Sequence, residues 1–235
     1  MTAIRYHDVL LDVCEADCAC IYGLKGDEWS VVEKEKKCLL RIFRHLEPSG
    51  KEAYDFAKRL ILSISALMRM RYPEFEGIAL KNVVHPVNKD GQHGVTIMVP
   101  KVEIKMRTLP PTIIGENRES SSTDGIISMI DLSLNNNVVE KVLRLRDKPT
   151  LSWVDLYRIF ETVETDENPV DKGWISKTER KRFHHTANSI YVIGDEARHG
   201  KETTQPPKTP MPKKDALSMV DRIIKLWLSE KTNRT

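Results

Sequence analysis

Ser176-Lys-Thr-Glu179-Arg-Lys-Arg-Phe183-His-His-Thr-Ala187-Asn-Ser-Ile190-Tyr191-Val-Ile-Gly194 carries a helix start, a buried face and a stop. Ser176-x-x-Glu179 is a capping box, in which each side chain satisfies the other's free backbone amide. Phe183, Ala187, Ile190 and Tyr191 then recur at helical spacing, and Gly194 closes the run. The same grammar extends outward in both directions. Upstream, Ser152-x-x-Asp155 caps a helix whose face is Trp153, Leu156, Tyr157, Phe160 and Val163. A shorter helix is expected from Asn135 to Leu145. Downstream, a proline-rich crossing, Pro206-Pro207 to Pro210-Met211-Pro212, leads into a last helix that buries Ala216, Val220, Ile223 and Trp227. Residues 126–235 therefore read as a helical bundle.

The first half changes period. Ser30 to Leu46 is expected to be a helix, with Val32, Leu39, Phe43 and Leu46 inward and Glu33 to Lys36 in water. Glu47-Pro48-Ser49-Gly50 breaks it. A second helix follows with Ala53, Ala57, Leu60, Ile61, Ile64, Leu67 and Met68 on one face, ending before Pro73. These two predict a helical hairpin. Gly77 to Val84 and Gly94 to Lys105 are rich in β-branched residues and flank Asp90-Gly91, which predicts a β-hairpin with a long loop. Pro100 marks its second strand as an edge or a bulge. Thr108 to Gly125, with Pro110-Pro111, Gly115 and Ser120-Ser-Ser-Thr-Asp124, reads as a linker after an N-terminal region of residues 1–107. The fold class expected is α+β.

Composition narrows the function classes. The 235 residues are 40% hydrophobic and 30% charged, with a formal net charge of +3, which excludes a disordered chain and a polybasic binder. The longest apolar stretch, Leu60 to Met68, is far shorter than the roughly 20 residues of a membrane span. Met1 to Asp8 lacks the layout of a secretory signal, so a cytoplasmic location without membrane attachment is expected. Cys14, Cys18, Cys20 and Cys38 do not have a zinc spacing, although thiolates with His7 or His45 are a conceivable ligand set. Reduced, packed thiols are the expectation, with no metal and no cofactor.

Charge is uneven in the helical half. Six acids face two bases between Thr150 and Gly173, whereas nine bases and four acids lie between Trp174 and Lys214, with His184, His185 and His199 among them. Solvated, mutually attracting helix faces explain this, and so does a basic surface for RNA or DNA. Arg180, His184 and Asn188 share one helix face, and His199 follows on the loop after Gly194. A histidine near neutral pH serves as a general base, and an arginine grips a phosphate bidentately. A structural role is the alternative, in which Asn188 and Arg198 bond the backbone of the proline-rich crossing while Asp195 and Glu196 neutralise Arg198.

Phe183-x-x-Thr186-Ala-Asn188, Gly194-Asp-Glu-Ala-Arg-His-Gly200, Pro206-Pro207-x-x-Pro210-Met211 and Trp227 together resemble the C-terminal region of a group of uncharacterised bacterial proteins. More distantly, the helical layout and the arginine–histidine elements are similar to HEPN domains. That resemblance implies a compact helical bundle, often dimeric, that works in toxin–antitoxin and anti-phage systems. It also implies metal-independent RNA cleavage, with an arginine and a histidine acting on the 2′-hydroxyl and the scissile phosphate. Arg180 and His185 have the family's spacing, with Lys181 where Asn, His or Asp is common. Arg198-His199 supplies the opening pair, with no histidine after it. Carried onto this chain, the resemblance makes Arg180, His184, His185, Arg198 and His199 catalytic candidates, and Arg182 and Asn188 RNA contacts. A non-enzymatic interaction protein or accessory subunit of a defence or regulatory complex, with a homodimer mate or another protein as partner, is the other reading.

Overall fold

The computed structural model describes residues 4–43, 50–92, 94–98, 123–197 and 205–234. The chain forms two compact units, Met1–Ile61 with Ile78–Ile127, and Leu62–Gly77 with Ser128–Thr235. A 21-residue helix, α2 (Lys51–Arg71), contributes its first half to one unit and its second half to the other. Its expected apolar face is buried, with Ala53, Ala57 and Leu60 fully so. No helix of the described residues is long and apolar enough to cross a membrane.

The first unit is built on five antiparallel strands in the order β2-β3-β1-β4-β5. They are β1 (Ile4–Asp12), β2 (Trp29–Lys34), β3 (Lys37–Ile42), β4 (Ala79–Asn88) and β5 (Thr96–Ile97), and α1 (Glu15–Ile21) follows β1. The mixed α+β class therefore holds, and so does the hairpin around Asp90-Gly91, in which Val83 pairs with Ile97. Pro100 lies outside the described residues.

The helical hairpin does not hold. Ser30–Ile42 is a β-hairpin, with Val31 opposite Leu40 and Lys34 opposite Lys37. Trp29, Val31, Leu40 and Ile42 alternate inward and are nearly inaccessible, whereas Phe43 is exposed. Glu35 and Lys36 form the two-residue turn with φ of 53° and 59°, the backbone of a type I′ turn made without the usual Asn or Gly. Two such residues held at positive φ destabilise the hairpin. Replacing them together, Glu35→Asn with Lys36→Gly, should raise stability by about 1 kcal/mol. A urea melt checks this, and a lower midpoint would overturn the turn assignment.

The central strand β1 was not expected. It buries Val9 and Leu11, and it also buries Asp8, which receives two hydrogen bonds, 2.7 and 2.9 Å, from the Arg41 guanidinium directly opposite on β3. The charge is tolerated there because both carboxylate oxygens are paired. The four cysteines are free thiols; Cys14 caps α1 and Cys38 is buried. Burial, with Cys18 alongside, pushes the Cys38 thiol up, away from the reactive thiolate. Among the described residues, no three His, Cys, Asp or Glu side chains group as metal ligands.

The second unit is helical. It contains α3 (Thr123–Asn135, from Ser128 onward), α4 (Asn137–Arg146), α5 (Trp153–Asp166), α6 (Lys177–Ala187), α7 (Ile190–Ile193) and α8 (Lys213–Thr232). Most of the expected linker, Thr108–Gly125, lies outside the described residues, and its last three residues open α3 rather than a loop. Both capping boxes form, at Ser152–Asp155 and at Ser176–Glu179. The expected faces of α5 and α8 are buried throughout. Trp227 Nε1 donates to Asp166 at 2.8 Å, so the largest side chain of α8 is buried with its polar atom satisfied. The helix begun at Ser176 stops earlier than expected. Asn188 ends α6, α7 restarts at Ile190, and Tyr191 is 63% exposed rather than inward.

Candidate functional site

Helix α6 lies at the middle of the arginine–histidine cluster. Its start is fixed by the Glu179 carboxylate, held below the usual range by the Ser176 amide and then by Arg222. Phe183 is fully buried against Trp153, Tyr157 and Phe160, with the Phe160 ring 5.2 Å away. That anchor sets the rotation of the helix, and hence where each candidate side chain goes.

Arg180 donates from Nε to Glu164 on α5 at 2.6 Å, and this bond holds the arginine even more firmly charged. Arg182 turns the other way. Its Nε donates to the Thr209 carbonyl at 2.9 Å and its Nη2 to the Pro210 carbonyl at 2.7 Å. His185 Nε2 donates to the Gln205 carbonyl at 2.7 Å. Thr186 Oγ1 accepts from the Met211 amide at 2.9 Å and is itself fully buried. Three side chains of one α6 surface therefore tie down the proline-rich crossing. The prolines explain why: they have no N–H, so the crossing cannot pair its own carbonyls in regular structure, and side chains supply the donors instead.

His184 points into the bundle. Its ring stands edge-on to Phe160 and Tyr157 at about 5 Å, and its Nδ1 shares a 3.0 Å hydrogen bond with the Tyr157 hydroxyl. Asn188 Nδ2 donates back to the His184 carbonyl at 2.8 Å, which closes the end of α6. The five described candidates are thus neighbours on one short helix, but they diverge onto four different sets of partners. Arg198 and His199 lie outside the described residues. Among their neighbours, Glu196 accepts from the Trp153 amide at 3.0 Å and pairs with Lys213, which together hold its carboxyl below the usual range. It thus caps the α5 start.

Two concavities in this unit were not expected. One, of about 990 Å³, runs along α4 and α5 and sets Lys141 and Arg158 against Glu161, Glu164 and Asp166, so its charges compensate internally. The other, of about 720 Å³, lies between the end of α2, the segment after α4 and the outer stripe of α8. Its border carries Arg69, Arg146, Lys148, Lys214, Arg222 and Lys225, with Asp221 as the acid. Arg146 is buried and donates to Asp221 at 2.6 and 3.0 Å. Arg69 reaches back to the Phe75 carbonyl at 2.9 Å and to the Glu76 carbonyl. Gly77, at φ +119°, admits that guanidinium because any Cβ there would collide with it. These cations come from three distant stretches of chain. The readable signal was the α8 spacing of Lys214, Leu217, Ser218, Asp221, Arg222 and Lys225, one stripe at i, i+3 and i+4 steps outside the buried face.

No protein-family model, no curated protein and no solved structure matches this chain.

Proposed function

We propose that this chain is a non-enzymatic interaction protein, a subunit that works by docking on another protein rather than by cutting RNA. One observation carries the reading: Arg180, Arg182, His184 and His185 of α6 each bond a partner within the chain. A metal-independent ribonuclease needs a histidine with a nitrogen presented to the 2′-hydroxyl and an arginine whose N–H fork faces the phosphate. Here, His184 is packed among three rings and bonded to Tyr157. His185 is on a carbonyl, Arg180 is on Glu164, and Arg182 uses two of its fork nitrogens on the proline-rich crossing. Turning any of these groups toward RNA breaks a bond it makes within the chain.

The test is a cleavage assay with the full chain, end-labelled single-stranded and hairpin RNA, and EDTA. No product above the protein-free control is expected. Arg182→Ala should lower stability by about 1 kcal/mol, as two partly exposed charge-assisted bonds are lost. RNA cleavage that disappears in His185→Ala would overturn the reading and restore the ribonuclease. An Arg182→Ala variant that melts like the wild type would remove its main support.

A further inference from the structure

We infer that the basic groove of the helical unit docks an acidic amphipathic helix of a partner protein, with the outer stripe of α8 as its floor and cationic rail. This rests on the interaction reading above and names the class of partner.

The argument begins with α8. Its inner face is fully used, with Ala216, Val220, Ile223 and Trp227 buried. On the other side, Lys214, Leu217, Ser218, Asp221, Arg222 and Lys225 make a second stripe three turns long, and all of them border the groove. At 1.5 Å per residue, that stripe extends about 16 Å, which matches roughly three turns of a helix laid alongside. A solvated face has no need of leucines, yet Leu217 faces the groove and Leu226 is 40% exposed beside it. Pro73 and Pro149, both exposed, add apolar surface to the groove wall.

Charge selects among possible occupants. The border holds six cations and one acid. Four of the cations are neutralised by the fold: Arg146 by Asp221, Lys148 by Asp155, Arg222 by Glu179, and Arg69 by Asp147. Lys214 and Lys225 are exposed, have no ion-pair partner among the described residues, and stand at the two ends of the stripe. Leu217 and Leu226 beside two unpaired cations on the same helix are complementary to a helix with aliphatic side chains on one face and carboxylates at its flanks. RNA fits the same surface less well. Single strands are held by stacking on exposed aromatic rings, and Phe75, the one aromatic residue bordering the groove, is 2% exposed.

The test selects a displayed library of random 16-residue peptides on the immobilised full chain, then labels an enriched peptide and measures its anisotropy. Enriched peptides should carry net negative charge, with aliphatic residues at i, i+3 and i+4. Lys214→Glu with Lys225→Glu should weaken binding about tenfold or more, and added salt should weaken binding to the wild type. Leu226→Ala should weaken binding with little change in salt dependence. Both lysines are exposed and unpaired, so the double variant should melt like the wild type, and a circular dichroism melt verifies that it does. No enrichment, enrichment of neutral or basic peptides, or unchanged affinity in the double variant would overturn the assignment. Displacement of the peptide by an unstructured RNA 20-mer at equal concentration would overturn it in favour of a nucleic-acid surface. RNA cleavage is scored separately. A chain that neither cuts RNA nor selects acidic peptides loses this assignment alone, whereas a chain that cuts RNA loses the reading on which it rests.

Discussion

Phe183→Ala should lower the melting temperature of the helical unit by about 10–20 °C, the consequence of losing about 3–5 kcal/mol. Phe183 has no solvent exposure, and it sits where three helical turns of aromatic residues meet. Its ring is stacked on Tyr157 at 5.8 Å, tilted against Phe160 at 5.2 Å and against Trp153 at 6.1 Å. Alanine removes the shared partner of all three, and those rings are on α5, whose backbone is fixed by its own capping box, so the cavity cannot close by a simple shift. The loss has a second consequence. With the anchor gone, the rotation of α6 is no longer set, and the side chains that hold the proline-rich crossing lose their aim. Phe183→Leu keeps most of the volume and should lose no more than about 1.5 kcal/mol. Circular dichroism at 222 nm reads both. An alanine variant that melts with the wild type would mean that α6 is not held by this cluster.

The same residue shows how far local sequence rules reach. Phe183 is assigned to the core by helical spacing from a capping box, and Trp153, Leu156 and Phe160 follow from the same local rule. Local rules work where the signal is a cap plus a period, because both are contained in one stretch of chain. The hairpin of β2 and β3 shows where they fail. Its turn is Glu35-Lys36, which has no chemical signature of positive φ, and the run of alternating charges around it imitates the wet face of a helix. The decisive contacts are cross-strand pairs such as Val31 with Leu40, and a single-helix period does not register them. Thr123-Asp124-Gly125 fails in the opposite sense: residues typical of a loop open a helix in which Ile130, further along, is fully buried.

The candidate site was legible as a list of residues, but not as an arrangement. Arg180, Arg182, His184, His185 and Asn188 do cluster on α6, as their spacing requires. Their partners are Glu164, the carbonyls of Gln205, Thr209 and Pro210, and the Tyr157 hydroxyl, all outside the helix itself. Whether an arginine faces a phosphate or a carbonyl is decided by those distant groups. The expectation places bonds to the proline-rich crossing on Asn188 and Arg198, but Asn188 does not make one and Arg198 lies outside the described residues. It is Arg182, His185 and Thr186 that make the described bonds, while Asn188 bonds within its own helix end. The basic groove is harder still to read, because Arg69, Arg146 and Lys225 belong to three different helices.

Asp221→Ala should destabilise the helical unit by about 3–5 kcal/mol, more than deletion of an ordinary surface carboxylate by several fold. The reason is the environment of its partner. The Arg146 side chain is 7% exposed and that of Asp221 17%, and the pair is bidentate at 2.6 and 3.0 Å. Removing the carboxylate leaves a guanidinium without its counter-charge in a site from which water is largely excluded, and desolvation of that charge is then uncompensated. Removing both charges has a different outcome. Arg146→Met with Asp221→Leu supplies apolar volume and has no charge to desolvate, so it should fall within about 1 kcal/mol of the wild type. The single variant is therefore expected to be far less stable than the double variant, a reversal that additive loss of contacts does not produce. Urea melts of the wild type, Arg146→Met, Asp221→Leu and the double variant give the coupling directly, with Asp221→Ala measured beside them. If Asp221→Ala melts with the wild type, Arg146 finds another partner or water, and the pair is not a fixed part of the groove wall. If the double variant is as unstable as Asp221→Ala, the ion pair is itself the stabilising element, and its geometry rather than its burial is what holds α4 and α8 together.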